Sequence, residues 1–263
     1  MRFIWDYLEG ARRLNKEYPP LPKAIAQLCT VVPLNTDYGP ATKMLGALIR
    51  ETDPDTIIIS CDDDTVHDRR LVSKLVEHAQ DHPEACICGT GALLGHGLHG
   101  ISIVSSLAPF RPWNGLTGFY IPPEGRNVDL IFGVAGVLYR RGFFPDKERL
   151  EEELLQYSLQ DTRIYLNDDV LYSGYLSKRG IKRKVFYDIP DVHCHDSGTG
   201  DALSGDLFPM IRRMNEAIEQ VKIYGFFPSM EPMTFNESVA WRCAFALLIV
   251  LLIIALIVLM FRF

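Results

Sequence analysis

The sequence predicts an α/β domain of the doubly wound kind followed by one C-terminal membrane span, and three observations carry that expectation. Strand-like apolar runs alternate with helical periods over the first ninety residues, the order that layered α/β folds require. The run Ile57-Ile58-Ile59-Ser60 leads directly into Cys61-Asp62-Asp63-Asp64. Cys243 to Phe261 is an uncharged apolar stretch bracketed by Arg242 and Arg262, and about 20 such residues in a helix cross a bilayer.

The 263 residues are accordingly divided into a domain over 1–225, a juxtamembrane linker over 226–240 and a transmembrane helix over 241–263. A buried core helix is the alternative for the apolar stretch, but helices in soluble cores rarely lack polar residues for so long. Met1 to Asp6 holds no apolar core followed by small residues, so no secretory signal is expected. The simplest topology is a cytosol-facing domain on a C-terminal anchor. With one arginine on each side of the span, flanking charge does not set its orientation. The sequon Asn236-Glu237-Ser238 lies against the membrane and is read as chance.

Six scattered cysteines do not resemble a disulfide framework, which agrees with a reducing compartment. Cys86 and Cys88 alternate as in a strand, so both thiols share a face and pack in the core. The net charge of -6 comes without a basic stripe, so no nucleic-acid partner is expected.

Element by element, Ile4, Tyr7, Leu8 and Ala11 are spaced for one helix face over 1–14, and Tyr18 to Pro22 is a loop. Leu28 to Leu34 reads as a strand. A helix follows with Pro40 near its first turn and Met44, Leu45, Leu48 and Ile49 on one face. Ile57 to Ser60 is a strand buried on both faces, as in a parallel sheet. A helix over 67–80 carries Leu71, Val72, Leu75, Val76 and Ala79, and Ala85 to Cys88 is a short strand. From Gly89 to Gly125 no regular period survives; its aromatics Phe110, Trp113, Phe119 and Tyr120 argue against disorder. Val128 to Arg140 is strand-rich, with small residues where something packs closely. A helix over 147–160 presents Glu151, Glu152 and Glu153 to solvent. A helix over 169–179 ends at Gly180, a strand spans 182–189, and an amphipathic helix spans 211–224.

The chemistry concentrates at two acidic clusters. In open parallel sheets ligands bind beyond the carboxyl ends of the strands, where Asp62, Asp63 and Asp64 are expected to lie. Three adjacent carboxylates raise one another's pKa values unless a cation neutralises them, and a hard divalent ion with oxygen ligands does so. The bland alternative is that Asp64 and Thr65 cap the helix over 67–80; capping needs one acid, not three. The second cluster, Asn167-Asp168-Asp169, opens the helix that ends at Gly180, where the helix dipole alone favours acids.

At these residues the chain resembles the GT-A class of nucleotide-sugar glycosyltransferases. Asp62-Asp63-Asp64 is similar to the DxD motif, and DYGPATK (Asp37 to Lys43) followed by IIISCDDD is similar to a glycosyltransferase-2-like subgroup. DLIFGVAGVLYRRGFF (Asp129 to Phe144) resembles the stretch before the acceptor site, and NDDVLYSGYLSKRGI (Asn167 to Ile181) the motif holding the catalytic base of inverting members. The likeness covers about residues 28–190 and implies a mixed, mostly parallel sheet flanked by helices.

It also implies roles. Asp64 binds a Mn2+ or Mg2+ ion that bridges the donor diphosphate, Asp62 contacts the ribose or the metal through water, and Asp63 supports them. Asp169, better placed than Asp168, is the base that takes the acceptor hydroxyl's proton. Asp37 and Lys43 belong to the donor site; for Lys43 the competing reading is a solvent-exposed lysine in a helix's first turn. His193 and His195 are candidate metal ligands, His195 ahead because Asp196 is placed to orient it; zinc is not expected without a second ligand pair. Trp113 either stacks on a sugar or simply packs. A GT-A domain opens with a strand that helps hold the nucleobase, and with 1–14 reading as helix that strand is expected to be missing.

The implied activity is transfer of a sugar from a UDP- or GDP-sugar to a hydroxyl on a glycan, lipid-linked or protein acceptor, with inversion, at the bilayer surface. Two alternatives stay open: another metal-dependent nucleotidyl or phosphoryl transferase, and a non-catalytic membrane-tethered binding domain.

Overall fold

The computed structural model describes residues 4–7, 12–13, 16–17, 23–33, 36–62, 65–94, 101–105, 121, 123–190, 192–194 and 207–228. Asp63, Asp64, Trp113, His195 and the whole apolar run over 243–261 lie outside them. No helix among the described residues is long and apolar enough to cross a membrane.

The chain opens with strand β1 (Ile4–Tyr7), not with the helix expected over 1–14. β1 runs parallel to β4 (Thr30–Pro33), with Ile4 opposite Thr30 and Tyr7 opposite Pro33. The apolar spacing at 4, 7, 8 and 11 mimics a helix, but the β-branched run Thr30-Val31-Val32 offers a ladder, and pairing overrides local period. Between the two lie the paired two-residue strands β2 (Arg12–Arg13) and β3 (Lys16–Glu17), and the single turn α1 (Lys23–Ala26). A 3-10 turn over Gly39–Ala41 carries Pro40 in its first positions, where the missing N–H costs nothing. It leads into α2 (Thr42–Arg50), which buries Met44, Leu45 and Leu48.

The central sheet comes from β5 (Ile57–Ser60), β7 (Ala85–Cys88), β10 (Arg126–Asn127), β12 (Val137–Arg140) and β13 (Lys182–Val185), in the spatial order β10-β13-β7-β12-β5. It is mixed rather than mostly parallel. β12 runs antiparallel to both β5 and β7, and among the described strands parallel pairing is confined to β1–β4 and β7–β13. Ile57 to Ser60 is covered on both faces all the same. Ile58 enters one core, and Ile57 and Ile59 pack against the other. An unbroken apolar run reports two covered faces, not the direction of the neighbouring strand.

Helices lie on both sides. α3 (Leu71–Asp81) covers one face through Leu71, Leu75 and Ala79, together with Ala85, Ile87 and Leu138. α2, α7 (Asp168–Lys178) and α8 (Leu207–Ile223) cover the other. Cys86 and Cys88 point into this second core, fully buried, as expected. The core extends to Phe226 and Phe227 beyond α8.

Three further expectations are revised. The segment after Gly89 is not wholly irregular, because β8 (Thr90–Leu94) and β9 (Ile101–Ser105) form an antiparallel hairpin and β8 also pairs with β11 (Leu130–Ile131). α3 starts at Leu71, since Thr65–His67 forms strand β6, antiparallel to β14 (Val192–Cys194). The helix expected over 147–160 is continuous, running through α4 (Lys147–Leu150), a π turn over Glu151–Leu155 and α5 (Gln156–Gln160), and α6 (Thr162–Tyr165) follows it; what is revised is the role of its acids. Its acids are not a purely solvated face, because Tyr38 donates to Glu151 and Tyr175 to Glu153.

Candidate active site

Three elements bring charge to one end of the sheet. β5 ends at Ser60 and delivers Asp62 beyond the carboxyl ends of β5 and β7, the end at which Val137 pairs with both Ser60 and Cys88. α7 begins at the same place with Asp168 and Asp169. It is buried along nearly its whole length, so its N-terminus is held inside the molecule with its acids. α2 contributes Lys43 from its first turn.

The Lys43 ammonium sits between the two acidic clusters, 2.8 Å from Asp62 Oδ1 and 2.8 Å from Asp168 Oδ2. It is three-quarters covered, and Asp168 nearly nine-tenths covered. Burial works against an ammonium, but Asp168, Asp169 and Asp62 outweigh it and hold Lys43 well above its usual range. Lys43 is thus turned into the site and is not the exposed first-turn lysine of the alternative reading.

Asp169 faces the same cluster. Its Oδ1 accepts the N–H of Gly133 at 2.9 Å, the residue that opens the 3-10 turn Gly133–Ala135 ahead of β12. Burial, then the charges of Asp168 and Asp62, push its carboxyl up to about 8, against the pull of Lys43 and the Gly133 N–H. Any side chain at Gly133 would crowd the cluster. A Cβ would stand 2.5 Å from Lys43 Nζ, 3.3 Å from Asp169 Oδ1 and 3.4 Å from Asp62 Oδ1. The small residues over 133–136 gave the signal for a close approach, but not what approaches.

The strand β6 removes the capping explanation for the first cluster, because it separates Asp64 from α3. β6 also holds the acidic loop. Thr65 Oγ1 donates to the Asp62 carbonyl at 3.1 Å, and His67 Nε2 lies 2.8 Å from Thr65 Oγ1 and 3.2 Å from the same carbonyl. His67 Nδ1 is buried with no hydrogen-bond partner among the described residues. Neither Thr65 nor His67 carried a sequence signal for this role, which depends on the pairing of β6 with β14.

That pairing sets Cys194 opposite Thr65 and His193 opposite Val66. Asp64, His195 and the His193 side chain lie outside what is described. Asp37 makes a local turn: its Oδ1 accepts the Gly39 N–H at 2.8 Å, and its Oδ2 is buried without a hydrogen-bond partner among the described residues. No contact of Asp37 with the acid cluster is seen there. Among the described residues no three His, Cys, Asp or Glu side chains stand together as a metal site. Compared with protein-family models and with curated proteins, the chain matches none.

Proposed function

We propose that the protein is a metal-dependent glycosyltransferase of the GT-A type, which moves a sugar from a UDP- or GDP-sugar to an acceptor hydroxyl with inversion. One observation carries the reading: Asp62 and the Asp168-Asp169 pair, about a hundred residues apart in sequence, meet around one ammonium at the carboxyl end of β5. The strand at Ile4–Tyr7, parallel to Thr30–Pro33, supports it too, since a GT-A domain opens with a strand.

The residues divide the work as follows. Asp169, anchored by the Gly133 N–H, takes the acceptor hydroxyl's proton as that oxygen bonds to the anomeric carbon; with its carboxyl raised to about 8 its ionised form is the stronger base, and transfer should rise as pH climbs from neutral toward 8. The bond from the anomeric carbon to the diphosphate breaks, and the diphosphate leaves with the electron pair. Lys43 offers a positive charge beside that leaving group while tying Asp62 to Asp168. The carboxylates are hard oxygen donors, which fit Mg2+ or Mn2+. Asp62 with Asp63 and Asp64, joined by His193 or His195, would hold the ion. When bound, it stabilises charge on the departing diphosphate. The C-terminal apolar run would keep the site beside lipid-linked or membrane-protein acceptors.

A second reading, a non-catalytic membrane-tethered domain, draws support from Lys43, which neutralises part of the acid cluster without any ion. Melting of the full chain with UDP and GDP, with and without Mn2+, separates the two. A transferase gains stability from nucleotide only with the metal, and Asp64→Ala loses the gain while Asp169→Asn keeps it. Melting unmoved by either nucleotide favours the tethered domain. If nucleoside monophosphate or free diphosphate is released from a donor in place of nucleoside diphosphate, the enzyme is a nucleotidyl or phosphoryl transferase.

A further inference from the structure

At the pole opposite the acid cluster, three guanidinium groups line one cavity of about 300 Å³: Arg141, Arg149 and Arg179, with Asp146, Phe144 and Thr52. α7 separates the two poles. It carries Asp168 at one end and has Arg179 as its C-terminal cap, and its 11 residues span about 15 Å. β5 and β12 do the same, with Ser60 paired to Val137 near the acids and Ile57 paired to Arg140 at the cavity end.

Arg141 is the informative residue. It is 5% exposed, and a buried guanidinium is retained only with partners. Its Nε goes to the carbonyls of Leu48 and Glu51, at 3.1 and 2.7 Å, and its Nη1 to that of Phe144 at 3.3 Å. Nε is therefore taken up at the end of α2, and Nη1 by the turn at Phe144. Nη2 has no hydrogen-bond partner among the described residues, although the side chain lines the cavity. Arg179 likewise has no side-chain hydrogen bond or ion pair among them, while Arg149 is paired with Glu153. The cavity is thus lined by three cations and one acid, Asp146. Planar forks with open donors match the oxygens of a phosphate. A second cavity of about 430 Å³ shares Arg149 and Arg179 and adds Lys178, Tyr157 and the acids Glu152 and Glu153, so there is room beyond the anion for a ring or chain that carries hydroxyls rather than further negative charge.

We propose that this pole is a binding site for a phosphate monoester, with the phosphate between Arg141, Arg149 and Arg179, a ligand hydroxyl on Asp146 and the body of the ligand beside Tyr157. The site is independent of the transferase reading, because none of its residues touches the acid cluster.

The test is calorimetric titration of the full chain in detergent micelles with phenyl phosphate and with inorganic phosphate. Arg149→Gln combined with Arg179→Gln leaves the Arg141 scaffold intact and should weaken phenyl phosphate binding at least about tenfold, with the melting temperature kept. Lys43→Met should leave it unchanged. If vesicles with phosphatidylinositol phosphate displace phenyl phosphate and phosphatidylcholine vesicles do not, the source is a lipid headgroup; if neither does, a free ester. Equal binding by the double variant, binding lost only with Lys43→Met, or no heat at any phosphate concentration up to about 50 mM would overturn the proposal.

Discussion

The ammonium of Lys43 stands 2.8 Å from Asp168 Oδ2, so a cation of the chain itself occupies the ground between the two acidic motifs. With Asp62, Asp168 and Asp169 around it, the cluster keeps a net negative charge even after this pairing. That residual charge is what a divalent ion would answer.

Lys43→Met removes the only countercharge seen among the described residues of the cluster. Breaking a partly covered pair leaves acids to repel one another, and we expect a loss of about 2 kcal/mol in urea unfolding. Millimolar Mn2+ should restore more stability to the variant than it adds to the wild type. A variant as stable as the wild type, with no added response to Mn2+, would show that the cluster does not act as one electrostatic unit.

Gly133→Ala tests the crowding around the same ammonium. The new Cβ meets the end of a flexible side chain, so the fold should lose less than about 1 kcal/mol. The displaced Lys43 can no longer bridge Asp62 and Asp168, and transfer should fall at least about tenfold. Stability by urea unfolding and turnover by product release check the two halves. Full activity in this variant would detach Lys43 from the mechanism.

Asp169 makes stability depend on pH in a stated direction. Its carboxyl titrates near 8 in the folded chain against an ordinary value of 3.8, so between these the folded state holds a proton that the unfolded state has released. Stability therefore falls as pH rises from about 4 to about 8, by at most about 1.4 kcal/mol per pH unit. Asp188, held below its usual range by His78 and Lys74 despite burial, acts only as pH drops under the carboxylate range. Urea midpoints at pH 5 and pH 7.5 should differ in the wild type and converge in Asp169→Asn. Equal slopes in the two proteins would remove the buried-acid assignment.

His67→Ala loosens the hold of Thr65 and His67 on the Asp62 carbonyl. The strand pairing of β6 remains, so the effect should fall on Mn2+-dependent nucleotide binding, weakened at least about fivefold, more than on the melting temperature. His67→Gln can supply an N–H again and should recover part of the loss. Unchanged nucleotide binding in His67→Ala would make the clasp structural only.

Legibility in the sequence followed how local each cause was. Asp62 at a strand end and Asp168 and Asp169 at a helix start were readable from neighbouring residues alone. So was the helix stop at Gly180, which adopts the left-handed φ of +70° that favours glycine there. The Lys43 orientation was not readable, because a first-turn lysine points to solvent unless acids from distant elements attract it. β1 was hidden because its partner, Thr30–Pro33, lies some 26 residues on. β6 was hidden for the same reason at greater range, its partner being Val192–Cys194. The hairpin of β8 and β9 was masked by the glycines around it, and the antiparallel β12 by an apolar pattern that looks the same in either direction.

The most direct measurement is release of nucleoside diphosphate from UDP- and GDP-sugars by the full chain with Mn2+, beside Asp169→Asn. Metal-dependent release is expected in the wild type and should fall at least about a hundredfold in the variant, with nucleotide binding kept. Release that is equal in the two proteins, or a wild type that neither releases nor binds any nucleoside diphosphate, would contradict the transferase reading.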